Sequence, residues 1–122
     1  MFLSEHSLAY SDLQIRLVNP KNNKTAGRVE IYHPSFGWGT VCGLPPWTIV
    51  EGGVVCRQLN FTGANATMWY KSPYGQGSGP TLLNNIKCTG NESYIWDCSQ
   101  PGWNVYDSLC DDLDLDVGVD CY

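Results

Sequence analysis

Long apolar runs, clustered basic residues, C-x-x-C pairs and abundant histidines are all missing from this chain. No stretch approaches the length of a membrane span. The seven basic residues, Arg16, Lys21, Lys24, Arg28, Arg57, Lys71 and Lys87, are dispersed. Twelve Asp and Glu outweigh them, and the net charge is −5. A protein that tracks phosphates needs a basic surface, so nucleic acid is excluded as a partner. Polyanions are disfavoured for the same reason. Without C-x-x-C spacing, a zinc knuckle or thioredoxin-type motif is excluded. The only histidines are His6 and His33. No nucleophile–base pair or flanking carboxylate pair is evident, so the chain is not read as an enzyme. "GQGSGP" has the look of a phosphate loop but lacks the strand–helix context. Its glycines are expected to supply positive φ in a turn.

What is present describes an ordered extracellular domain. The 122 residues suit one domain, with 12% aromatic and 16% charged residues. Six cysteines (Cys42, Cys56, Cys88, Cys98, Cys110 and Cys121) read as three disulfides in an oxidising compartment. Spacing alone does not choose their pairing. N-x-S/T sequons at Asn23, Asn60, Asn65 and Asn91 agree with secretion or display on a cell-surface ectodomain. Asn23 and Asn65 lie in polar loops, where a glycan is easily carried. Asn60 follows directly on a helix, whose end can shield it. Residues 1–12 lack a signal peptide's basic start and apolar centre, and read as a leader or disordered tail. The domain proper is residues 13–122.

Period-two alternation marks half-buried strands at 13–19 and 28–33, and 38–42 returns after the turn "PSFG". Thr48 and Glu51 form a capping-box pattern. Val55, Cys56 and Leu59 then share one stripe, which predicts a helix over 48–59. Strands are also expected at 81–88 and 117–121.

Taken together, "GRVEIYH", "WGTVC", "VVCRQL", "GQGSGP", "CTGNES" and "GVDC" resemble the scavenger receptor cysteine-rich domain, over Leu13 to Cys121. The resemblance implies an α+β fold, a curved antiparallel sheet cradling one helix. Family members carry eight cysteines or six. The two extra positions fall near Thr25 and Phe61, so this chain looks like the six-cysteine group. The family's pattern implies the pairs Cys42–Cys110, Cys56–Cys121 and Cys88–Cys98. It also implies an extracellular module that binds protein ligands, in a receptor or a secreted multidomain protein. An accessory domain beside an extracellular catalytic domain, or cation-dependent scavenging of polyanions, is the alternative. No direct membrane contact is expected of the domain, and the sequence fixes no oligomeric state.

The chain departs from the family on one side. Many members place two calcium-binding aspartates after the W-G-T-V-C cysteine; here stand Gly43 and Leu44, in "GWGTVCGLPPW". A second family site uses an aspartate where this chain has Asn84 and Asn85. No cofactor is therefore expected, with calcium at Asp111, Asp112, Asp114 and Asp116 as the alternative. As a strand, Asp112, Asp114 and Asp116 would share one face and Leu113 and Leu115 the other. Trp38, Trp47 and Trp96 sit inside motifs and read as structural. Leu44, Trp69, Tyr70, Trp103 and Tyr106 fall in divergent loops and are the candidate ligand contacts. If Cys42 joins Cys110, the loops 43–47 and 103–116 meet in one face.

Overall fold

The computed structural model describes residues 12–43, 47–65, 74–112 and 115–122. Strand β2 (Ala26–His33) organises the sheet, because three other strands pair with it. β1 (Gln14–Val18) runs antiparallel along one side, with Ile15 opposite Ile31 and Leu17 opposite Val29. On the other side lie β3 (Gly37–Val41) and β5 (Gly118–Asp120), both antiparallel. β4 (Thr81–Leu83) completes the sheet beside β3, and this pair is parallel. The sheet is therefore mixed, not wholly antiparallel as expected. A parallel neighbour needs a crossover, and the long segment carrying the main helix supplies it.

Alternation along β2 separates two environments. Val29 and Ile31 are fully buried and face the core. Glu30 is also buried, and two arginines bind it. Arg16 Nη2 donates to its Oε1 at 2.7 Å, and Arg28 Nε to its Oε2 at 2.9 Å. Arg16 also lies 3.8 Å over the Trp38 ring. These bonds satisfy a carboxylate that would be costly to bury alone.

The helix α1 spans Ile49–Gln58, with Thr48 as N-cap and the capping box complete. Glu51 is buried, accepts from Thr48 N at 2.9 Å, and reaches the backbone N of Cys88 at 3.0 Å. One carboxylate thus caps the helix and fastens it to the loop that carries the third cysteine. Val54, Val55 and Cys56 pack into the sheet.

The strand expected over 81–88 stops at Leu83. Asn85 turns to φ 51°, which breaks the extended run, and only Lys87 returns to a bridge, with Ser99. Two short helices were not anticipated: a 3-10 turn at Ile95–Asp97, and α2 at Ser108–Asp112. In "GQGSGP", positive φ explains Gly75 alone (φ +91°). Gly77 and Gly79 are required by close approach: a Cβ would strike the Thr40 side chain at one and the Trp38 carbonyl at the other.

Disulfides join Cys42 to Cys110, Cys56 to Cys121 and Cys88 to Cys98. The last two lie in the main core, with Ile31, Leu82, Ile95 and Val119. The first belongs to a separate small cluster of Cys42, Cys110 and Leu115.

Candidate functional site

The Cys42–Cys110 bond brings the end of β3 to α2, and backbone bonding reinforces it. Gly43 N donates to Leu115 O at 2.9 Å, and Cys42 bridges Asp116. The described parts of loops 43–47 and 103–116 therefore adjoin. Leu44 lies outside the described residues, as do Trp69, Tyr70 and Asp114.

The segment before α2 is held from beneath. Asn104 N donates to Leu82 O at 2.8 Å, and Asn84 Nδ2 donates to Val105 O at 2.9 Å. Asp107 stands before α2, and its Oδ1 accepts from Leu109 N at 2.9 Å, as an N-cap does. On this fixed backbone three apolar side chains face solvent: Val105 (42% exposed), Tyr106 (75%) and Leu109 (51%). Tyr106 was anticipated; Val105 and Leu109 were not. An Asp directly before "SLCDD" was the signal for a short helix that would turn them outward.

Trp103 behaves differently. It is partly buried against the main core, edge-on to His33 at 4.9 Å and 6.4 Å from Trp96. It braces the loop instead of presenting a free ring. Burial also lowers the pKa of His33, whose Nδ1 accepts from Ser35 N. Trp47 and Trp96 are buried.

The acidic residues do not form the strand face expected. Asp111 and Asp112 belong to α2, so they share no strand with Asp116. Asp116 is buried, and its carboxylate accepts from Gly77 N at 2.7 Å. It helps to fold the glycine loop down. A hard cation takes six to eight oxygens, and among the described residues the family's calcium positions offer few. Gly43 has no side chain. Asn85 Nδ2 donates to Asn84 Oδ1, so that pair is engaged internally. Among the described residues, Cys88, Glu92 and Cys98 also come together, but the cysteines form a disulfide. The Glu92 carboxylate accepts from the backbone N–H of Thr89 and Gly90, and its pKa is held down at about 2, chiefly by Thr89.

The sequon asparagines Asn23, Asn60, Asn65 and Asn91 are all exposed. Asn60 is not shielded by the helix end; it turns outward at φ 73°.

Comparison with known proteins settles the family. The model of the scavenger receptor cysteine-rich domain matches residues 20–122. Human lysyl oxidase homolog 4 is 42% identical over 109 residues, and mouse lysyl oxidase homolog 2 is 44% identical over 110. Each alignment covers 89% of this chain but only 14% and 13% of the relative, so the chain spans about one seventh of their length. The third SRCR domain of murine neurotrypsin superimposes with a TM-score of 0.71 at 35% identity, covering 89% of this chain and 95% of that one. The dimeric form of the SRCR domain of mouse MARCO gives 0.66 at 33%, covering 80% and 86%. Such domains are extracellular and non-catalytic, and they mediate protein interactions. No helix among the described residues is long and apolar enough to cross a membrane. By family model, sequence and architecture, the chain belongs to the scavenger receptor cysteine-rich domain family.

Proposed function

We propose that this domain docks a protein through the face built on residues 103–112 and the adjoining end of β3. The observation that carries the reading is the exposure of Val105, Tyr106 and Leu109 on a tethered backbone. Contacts from a rigid support lose little entropy on binding, and a large aromatic ring is the usual anchor. Calcium dependence is weak, because Gly43 and the engaged Asp116 carboxylate make a poor donor set. The family's polyanion scavenging is disfavoured. Six of the twelve acidic residues lie between Asp107 and Asp120.

Within a longer chain, the module serves as a non-catalytic accessory domain of a secreted protein; the lysyl oxidase homologs support that setting. Asn23 and Asn65 carry glycans when the protein is secreted from eukaryotic cells.

A binding screen against extracellular proteins supplies the partner. Affinity is then measured with calcium and with chelator, for wild type, Tyr106→Ala and Asp111→Ala. Tyr106→Ala should weaken binding about tenfold or more, and Asp111→Ala less. Loss of binding in chelator would show that a cation site matters. Unchanged affinity for Tyr106→Ala would place the contact elsewhere.

A further inference from the structure

A depression of about 290 Å³ opens beside Tyr106, with Pro80, Val105, Asp107 and Cys110 in its lining. We propose that it receives one lysine or arginine side chain of the docked protein. This rests on the reading that the face binds protein, and it names the chemistry that the partner brings.

Size comes first. The space is just below the roughly 300–1,000 Å³ of a small-molecule site, so it suits one long side chain. Its surfaces then match the two halves of a basic residue. Pro80 and Val105 offer apolar wall to a methylene stem, and such stems favour burial along apolar surface. The same lining carries an aromatic ring, Tyr106, and a carboxylate, Asp107. Tyr106 is 75% exposed, leaving its ring open to a cation. The Asp107 carboxylate accepts one short bond, from Leu109 N, and a longer one of 3.4 Å from Asn85 Nδ2. A carboxylate has about four lone-pair sites, so capacity remains for an incoming donor.

The surroundings point the same way. From Asn104 to Tyr122 the sequence contains no Lys or Arg. Arg16 and Arg28 are bound to Glu30, and Arg57 to the carbonyls of Gly90 and Glu92. With six carboxylates between Asp107 and Asp120 and no base in that stretch, the local charge favours a cation over a neutral or acidic side chain. The site is also preformed, since Asn104 and Val105 are bonded to the β4 region and Cys110 is cross-linked. Among the described residues the lining holds one carboxylate, too few oxygens for calcium, so an ammonium or guanidinium is the better occupant.

Titration of the isotope-labelled domain with acetyl-Gly-Lys-Gly-amide tests the proposal by amide NMR. The norleucine peptide, which keeps the stem and loses the charge, is the control. The lysine peptide should shift the amides of residues 104–110 saturably, with a dissociation constant in the millimolar range. Norleucine should bind at least threefold more weakly, and raised salt should narrow that gap. Asp107→Asn removes the charge but keeps a good N-cap, so the fold survives. It should weaken the lysine peptide roughly three- to tenfold and leave norleucine unchanged. Equal binding of the two peptides, or no effect of Asp107→Asn, overturns the proposal. If that happens while Tyr106→Ala still weakens a protein partner, the basic-residue assignment falls alone. If Tyr106→Ala leaves partner binding intact and the lysine peptide still binds, the depression takes cations but the docking face lies elsewhere.

Discussion

Two disulfides of this domain close nearly equal lengths of chain, yet they hold different things together. Cys56–Cys121 spans a separation of 65 residues and Cys42–Cys110 one of 68. A model of unfolded-chain entropy gives each about 4 kcal/mol. Their surroundings are unlike. Cys56 is fully buried in the main core, between α1 and the C-terminal strand. Among the described residues, Cys42 and Cys110 cluster with Leu115 alone, beneath the loop that presents Tyr106. Loop length therefore does not decide what a cross-link secures; the packing around it does. One bond belongs to the fold, the other to the face.

Removing each bond in turn breaks or confirms that contrast. Cys56→Ala with Cys121→Ala should have the largest effect, a loss of about 4 kcal/mol or more, because a cavity in the core adds to the lost cross-link. Urea unfolding at matched pH measures it. Cys42→Ala with Cys110→Ala should cost less, about 4 kcal/mol from the lost cross-link with little added cavity cost, since its small cluster lies outside the main core. Hydrogen exchange should quicken over residues 104–117 and stay slow in α1 and β2. Uniformly faster exchange in this second variant would show that the two regions form one cooperative unit.

The smallest effect concerns acid. The pKa of Glu92 lies at about 2 in the fold, below its ordinary 4.5. Its stabilising contribution is thus complete above about pH 4.5 and fades as the pH falls toward 2. The difference in urea midpoint between wild type and Glu92→Gln should shrink over that window. A constant difference would mean that the carboxylate's charge does nothing for the Thr89–Glu92 turn.

The fold was largely legible because its signals are local. The alternation of 28–33, the Thr48–Glu51 cap and the stripe through Val55 and Leu59 each describe a short stretch of chain. The parallel β3–β4 pair was not legible, because strand direction depends on where a long crossover returns. The face was read in part. Tyr106 stood out as an aromatic in a divergent loop. The strand reading of Asp112, Asp114 and Asp116 does not hold at Asp112, which lies in α2, because Asp107 before "SLCDD" caps a short helix. The bracing contact of Trp103 on His33 was not legible, because it joins residues far apart in sequence. The buried role of Asp116 depends likewise on a glycine loop nearly forty residues away.

The arrangement of strands around β2 also determines how the domain meets tension. β1 starts opposite Tyr32, and β5 ends opposite Ala26. These points lie about 20 Å apart along β2, six residues at the usual strand rise. The chain thus enters at one end of the central strand and leaves at the other. A pull on the two ends drags β1 and β5 in opposite directions along β2, so the hydrogen bonds of each ladder share the load and do not open one by one. Beyond β5, Cys121 passes the load on to α1 through Cys56. Single-molecule pulling through the two ends should therefore need more force than pulling through cysteines placed at Val18 and Tyr122, which peels β1 from its Arg28 end. If the two geometries yield at the same force, the ladders do not carry the load. A module threaded this way within a longer extracellular chain would resist stretching with its sheet, while the face around Tyr106 keeps its shape.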